Sequence, residues 1–274
     1  MDEFDGRVAV VTGAGSGIGR AIAHRFAAEG MRLILADIEL ATVNTAAAEL
    51  RANGHDAIGV QVDVSRSEDV QRLAQIAKDT FGNIHIVCNN AGIDGYRGGD
   101  IWEASEADWE RTIGVNLYGV VNGVRTFVPL MLGHGEPSHV VNTASMAGVM
   151  KAFSIYGVSK HAVVALTEVL DDQLKKRGAR IGVTALCPGT TATRLFDGRF
   201  ARQPSPAAEI EDDETARMYR EARNTRLQTV GAPASAVADK LIAGIRANAL
   251  YVRTSDEYDD AVRSRDTEIL RFHA

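Results

Sequence analysis

Val11-Thr12-Gly13-Ala14-Gly15-Ser16-Gly17-Ile18-Gly19-Arg20 is the stretch on which the reading of this chain turns. Before it, residues 7–12 form a short apolar run of strand character. After it, residues 18–29 place apolar side chains at helical spacing. A strand, a glycine-rich turn and a helix aim backbone N–H groups and a helix N-terminus at one point. That arrangement suits a pyrophosphate. Glycine is needed there because any Cβ would block the backbone's approach. A glycine cluster alone also makes plain turns, so its flanking strand and helix carry the argument. Gly13, Ser16, Gly17, Ile18 and Gly19 are the expected phosphate-side contacts.

The alternation continues downstream. Strand-like runs recur at 32–36, 57–62, 84–89, 139–143, 180–186 and 249–252, with helical spacing at 40–52, 65–81, 155–174 and 234–247. Ser65 or Ser67 is the candidate N-cap of the 65–81 helix, Ser65 standing three residues before Glu68. Gly30, Gly54, Gly82 and Gly178 each follow a helical stretch, where a left-handed cap wants glycine. Apolar strands alternating with helices imply a parallel sheet covered on both faces. Residues 190–229 differ, with Pro204, Pro206, an acidic run at 209–214 and little strand character. They fit either a lid over a site or a surface insertion. The tail at 255–271 is charged, with apolar residues at Tyr258, Val262 and Ile269, and fits a terminal helix or a frayed end.

With 274 residues, 45% of them hydrophobic, the chain has enough apolar surface for a substantial core. A net charge of −6 argues against a nucleic-acid partner held by bulk electrostatics. Cys88 and Cys187 lie in apolar runs and are expected to be buried thiols, not a disulfide. The acidic start Met1-Asp2-Glu3-Phe4-Asp5 lacks the apolar core of a signal peptide. No stretch approaches the roughly 20 apolar residues of a membrane span. A cytoplasmic protein with no metal and no membrane partner is expected.

Asp37 ends the second strand, at about the distance where an acidic residue meets an adenosine ribose. A carboxylate there accepts bonds from ribose hydroxyls and repels a 2′-phosphate. Neither Ser16 nor Ile38 is basic, so NAD is expected over NADP. Asp63-Val64 and Asn89-Asn90-Ala91-Gly92 end the third and fourth strands, on the same sheet edge. Tyr156 and Lys160 are four apart on one helix and share a face. A free tyrosine titrates near about 10, but a neighbouring ammonium and a cationic nicotinamide favour the phenolate. Lowering its pKa by about 3 takes roughly 4 kcal/mol. A tyrosine so tuned takes a proton from an alcohol as hydride leaves the carbon. Ser145, after the 139–143 strand, can steady the substrate oxygen. Asn116, a polar amide among apolar neighbours, can instead bond a backbone carbonyl at a helix irregularity.

These residues in this order resemble the short-chain dehydrogenase/reductase family over about residues 6 to 193. The matching segments are Thr12-Gly13-x-x-x-Gly17-x-Gly19, Asp63, Asn89-Asn90-Ala91-Gly92, Asn116, Ser145, Tyr156-x-x-x-Lys160 and Pro188-Gly189-x-x-x-Thr193. The resemblance implies an α/β fold of Rossmann type, a seven-stranded parallel sheet in the order 3-2-1-4-5-6-7, in one domain spanning 1–274. It implies a catalytic tetrad of Asn116, Ser145, Tyr156 and Lys160. Tyr156 would be the acid/base, Ser145 the carbonyl support, Lys160 also a ribose contact, and Asn116 the support of a proton-relay water. Pro188, Gly189, Thr191 and Thr193 would run along the nicotinamide. A homotetramer built on the helices carrying Asn116 and Tyr156 is usual in such proteins. The spacing from Ser145 to Tyr156 is shorter than is common in the family, so the pocket mouth is expected to differ.

The expected activity is therefore NAD-dependent interconversion of a secondary alcohol and its ketone. The pocket is expected from residues 93–99, 146–155 and 190–229. Phe153, Ile155, Leu195, Phe196 and Met218 would make it apolar, suiting an aromatic or alicyclic substrate. Residues 113–147 and 248–251 are similar to bacterial dehydrogenases that oxidise benzylic alcohols in lignin-derived aryl ethers. The rival readings are a catalytically silent NAD(H)-sensing protein on the same fold, and an isomerase or dehydratase using the cofactor transiently.

Overall fold

The computed structural model describes residues 1, 3–95, 100–193, 195 and 214–271. Among them, β1 (Val8–Thr12), β2 (Arg32–Asp37), β3 (Ala57–Gln61), β4 (Ile86–Asn89), β5 (Ser138–Thr143), β6 (Ile181–Cys187) and β7 (Tyr251–Arg253) form one sheet. Their order is β3-β2-β1-β4-β5-β6-β7, and neighbouring strands run parallel throughout. The expected sheet is thus present, each strand starting or ending within about two residues of its expected bounds.

Successive strand residues point to opposite faces. Ala9 and Val11 of β1, with Leu33 and Leu35 of β2, pack under α1 (Gly17–Ala28), α2 (Leu40–Ala52) and α8 (Ala234–Arg246). Val8, Val10 and Ile34 face the other way, toward α3 (Ser67–Phe81), α5 (Gly119–His134) and α6 (Ile155–Lys176). Two-sided burial is why these strands read as continuous apolar runs. Fully burying one Phe26 or Phe127 side chain contributes about 1.5–3 kcal/mol, so each face is held by many such terms.

The order of strand addition reverses beside β1: β2 and β3 lie on one side, β4 to β7 on the other. The carboxyl ends of β1 and β4 therefore diverge and leave a crevice between their following loops. Gly30, Gly54, Gly82 and Gly178 all have positive φ, as their cap positions require. Both cysteines are buried as free thiols. No helix among the described residues is long and apolar enough to cross a membrane.

Three readings change. Neither Ser65 nor Ser67 caps α3: the helix begins at Ser67 itself, Arg66 holds the N-cap position, and Ser65 turns back to bond Asp63. The helical stretch carrying Asn116 is not uniform, for α4 (Glu106–Ile113) and α5 are joined by a π-helical turn, Gly114–Tyr118. The 190–229 region includes a long helix, α7 (Glu214–Val230), which the residue pattern did not reveal. Of the open alternatives for the tail, a helix is present, α9 (Asp259–Leu270).

Candidate active site

The glycine turn is built by conformations that side chains resist. Gly13 and Gly17 have φ of +64° and +53°. A Cβ on Gly13 would lie 2.9 Å from Ala91 Cα, and one on Gly19 would lie 2.2 Å from the Gly13 carbonyl oxygen. The turn is thus pressed onto the end of β4 and onto its own helix. Asp37 Oδ2 accepts a 2.9 Å bond from Gly15 N–H, and Oδ1 accepts one of 3.1 Å from Glu39 N–H. The carboxylate at the end of β2 therefore has a fixed pose beside the turn. Asp63 accepts from the Ser65 backbone and hydroxyl at 3.0 and 2.6 Å.

Thr12 ties the turn to the loop after β4, a role the residue pattern did not single out. Its hydroxyl donates to the Cys88 carbonyl at 3.2 Å and accepts from Asn90 N–H and Ala91 N–H at 2.9 and 3.1 Å. Asn90 Nδ2 returns a 3.0 Å bond to the Thr12 carbonyl, and Thr143 donates to Asn90 Oδ1 at 3.2 Å. Asn89 instead turns away and donates to Asn142 Oδ1 at 2.9 Å.

Asn116, fully buried in the π-turn, grips the next stretch of the same loop. Its Oδ1 accepts from Ile93 N–H at 2.8 Å, and its Nδ2 donates to the Ile93 carbonyl at 2.9 Å and to Ser159 Oγ at 3.0 Å. Ser159 donates in turn to the Tyr156 carbonyl at 2.7 Å. The amide thus bonds backbone at a helix irregularity while it ties the β4 loop to the helix carrying Tyr156. It does not itself line the cleft. Asn116→Ala removes three buried bonds worth about 1 kcal/mol each. We expect roughly 2–3 kcal/mol lower stability and a melting temperature lower by roughly 5–10 °C, read by calorimetry.

Ser145, Tyr156 and Lys160 come together where β5 ends and α6 begins. Ser145 Oγ accepts from Ala147 N–H at 3.1 Å, which fixes its rotamer, and the hydroxyl acts on the Tyr156 phenol. Lys160, 3% exposed, donates to the Thr143 carbonyl at 2.8 Å, and its ammonium lies 5.6 Å from the Tyr156 ring centroid. The shorter spacing is taken up by a 3-10 turn, Met146–Gly148, and Ser154, which caps α6 by accepting from Gly157 N–H.

Without the cationic nicotinamide that the expected lowering invokes, burial dominates at the tyrosine. Burial pushes the Tyr156 phenol up to about 12; the bond from Ser145 works against this, Asp94 adds to it and Arg223 opposes it. Burial also brings the Lys160 ammonium down to about 8. In the protein alone, desolvation is the largest influence on both groups.

The glycine turn, the loop after β4 and the Ser145–Tyr156–Lys160 group border one cleft of about 940 Å³. Gly13, Ser16, Gly17, Ile18, Gly19, Asp37, Asp63, Val64, Asn90, Ala91 and Gly92 line one end, and Ser145, Tyr156 and Lys160 another part. Pro188, Gly189, Thr191 and Thr193 complete the wall after β6. There Gly189 N–H bonds Thr254 Oγ1 at 3.0 Å, and Thr190 and Tyr258 hydroxyls meet at 2.6 Å. Ile93, Met146, Met150, Phe153, Leu195 and Leu227 give the remaining surface an apolar part, beside the charged Asp94, Glu110, Arg111, Arg223 and Arg226. Two expected lining residues fall elsewhere. Ile155 is wholly buried as the first residue of α6, and Met218 is 62% exposed on α7, away from the cleft. Phe196 and residues 96–99 lie outside the described residues. Asp94 and Arg223, charged members of the expected 93–99 and 190–229 segments, line the cleft as well.

Residues 7–204 match the family model described as short chain dehydrogenase. Over 197 residues the chain is 40% identical to a 1-deoxy-11-beta-hydroxypentalenate dehydrogenase of Streptomyces exfoliatus, covering 71% of each chain. Over 203 residues it is 37% identical to the 3beta-hydroxysteroid dehydrogenase 2 of Eggerthella lenta, covering 73% of this chain and 76% of the relative. A short chain dehydrogenase/reductase from Burkholderia phymatum, crystallised in complex with NAD, superposes with a TM-score of 0.93 at 39% identity, covering 100% of this chain and 98% of that one. A Rossmann sheet with a glycine-turn cleft defines a dinucleotide-dependent oxidoreductase. The chain belongs to the short-chain dehydrogenase/reductase family.

Proposed function

We propose that this chain is an NAD-dependent dehydrogenase that interconverts a secondary alcohol and its ketone on an apolar alicyclic or aromatic substrate. One observation carries the reading: a single cleft runs from the glycine turn and Asp37 to Ser145, Tyr156 and Lys160. Its glycines are packed so closely that a Cβ on Gly13 or Gly19 would collide with backbone, as a dinucleotide cradle requires.

The oxidised nicotinamide, when bound, supplies a hydride acceptor and a positive charge. Tyr156 then takes the hydroxyl proton of the alcohol, and in reverse it returns a proton to the ketone oxygen. Ser145 donates a hydrogen bond to that oxygen as its charge grows. With Lys160 already in place the phenol stands at about 12, so the further pull on its proton must come from the cofactor's positive charge. Lys160 also reaches the nicotinamide ribose. Asn116 holds the β4 loop through Ile93, and a relay water would be supported through that loop, since both amide hydrogens are taken.

Asp37 directs the preference to NAD, since its carboxylate is held facing the cleft and would repel a 2′-phosphate. Equilibrium fluorescence titration is expected to give at least tenfold tighter binding of NADH than NADPH, about 1.4 kcal/mol. Tighter NADPH would overturn the assignment. The dehydrogenase reading itself is tested by NADH formation from a panel of cyclic and benzylic alcohols; silence across the panel with intact NADH binding would favour a sensor. The relatives' carbocyclic and steroid substrates support the alicyclic class. A single catalytic domain assembling as a homotetramer completes the proposal. Its support is Tyr118, Leu132, Val158 and Val169, exposed on and beside the helices carrying Asn116 and Tyr156. Free thiols at Cys88 and Cys187 fit a reducing cytoplasmic setting.

A further inference from the structure

The cleft wall that follows β6 is held from behind by the C-terminal segment. Gly189 N–H donates to Thr254 Oγ1 at 3.0 Å, and the Thr190 and Tyr258 hydroxyls share a hydrogen bond of 2.6 Å. The two segments press together: a Cβ on Gly189 would lie 2.6 Å from Ser255 Cβ and 3.6 Å from the Tyr258 ring. Thr190 and Tyr258 both border the cleft, and Tyr258 is the lining residue furthest along the chain among those described. It holds the N-cap position of α9, and it packs with Val262 on the cluster containing Ala144, Met146 and Cys187. On its other side the wall is tied to the segment after α7. There the Thr190 carbonyl accepts from Ala232 N–H at 3.0 Å, and Ala192 N–H donates to the Ala232 carbonyl at 2.9 Å.

Pro188–Thr193 is thus a strap with anchors of two kinds. The Ala232 anchor joins backbone to backbone and survives most changes of side chain. The Tyr258 anchor is one hydroxyl pair between side chains 68 positions apart, so a single substitution releases it. Packing braces the Tyr258 ring, which leaves its hydroxyl a fixed place from which to hold Thr190. A cleft wall keeps its shape when its own side chains are locked by such supporting bonds.

We propose that Tyr258 is a positioning residue for the nicotinamide end of the cofactor, acting through Thr190 on the strap. This rests on the dehydrogenase reading, in which the strap runs along the nicotinamide, and names the residue that holds it there.

The test titrates the full chain by calorimetry with NADH and with ADP-ribose, which carries the same adenosine and phosphates but no nicotinamide. The unaltered protein is expected to prefer NADH. Tyr258→Phe keeps the ring and removes the hydroxyl. It should cut that preference about fivefold, the size of one hydrogen bond, and leave ADP-ribose binding as it was. Thr190→Val should do the same from the other partner, and the double variant should lose no more than either single one. A merely structural role for Tyr258 would lower the melting temperature and weaken both ligands alike, which overturns the proposal. A preference for NADH that survives Tyr258→Phe, or losses that add in the double variant, strikes out Tyr258 alone. Equal binding of NADH and ADP-ribose by the unaltered protein would instead remove the reading that the strap meets the nicotinamide, and the role of Tyr258 with it.

Discussion

Tyr156→Phe is expected to lower kcat for alcohol oxidation by about three orders of magnitude or more, while NADH binds almost as before. The substitution removes one oxygen and keeps the ring. Lys160 keeps its bond to the Thr143 carbonyl, and the glycine turn is remote, so the cradle for the dinucleotide is undisturbed. Ser145 keeps its orientation as well, because its hydroxyl still accepts from Ala147 N–H. What disappears is the group that exchanges a proton with the substrate oxygen. Stopped-flow hydride transfer together with an NADH titration separates the two effects. Most of the activity surviving would remove Tyr156 from its role; lost NADH affinity would instead show that the phenol holds the cofactor site together.

Gly19→Ala should damage the other end of the cleft. Its Cβ would lie 2.2 Å from the Gly13 carbonyl oxygen and 2.6 Å from Asn90 Nδ2. The first contact is backbone, so a rotamer change cannot relieve it. Either α1 moves away from the turn, or the turn moves off Ala91. Overpacking of this kind costs about 1–3 kcal/mol, which lowers the melting temperature by several degrees. The displaced N–H groups would then lose charge-assisted bonds worth about 1.5–3 kcal/mol each. We expect the dissociation constant for NADH to rise about 100-fold, measured by fluorescence titration. An unchanged constant would mean that the phosphates do not sit on this turn.

Much of the fold was legible residue by residue. Continuous apolar runs at 7–12 and 32–36 announce strands covered on both faces, and Gly30 and Gly54 announce where helices stop. The reason is that burial and left-handed caps are local requirements, written at the position that meets them. Tyr156 and Lys160 were legible as a pair for the same reason, because four residues on one helix share a face whatever surrounds them. Asn116 was legible as a residue but not as a link, since its partners Ile93 and Ser159 come from distant segments. The bonding role of Thr12, and Ser159 altogether, are not legible in the residue pattern, because threonine and serine are common and their importance lies in what they bond. Ile155 and Met218 were assigned to the pocket because they are apolar and nearby in sequence. Helix phase turns one into the core and the other to solvent.

Composition and pattern by themselves determined the sheet, the helices that cover it, the glycine turn and the family. Tertiary structure alone decided the rest. It placed Asp94 and Arg223 in the cleft that Tyr156 borders, and through burial it set the phenol's pKa in the absence of cofactor. Strand and helix formation depend on neighbours along the chain. Desolvation and charge act through space, so they follow from which segments the fold brings together.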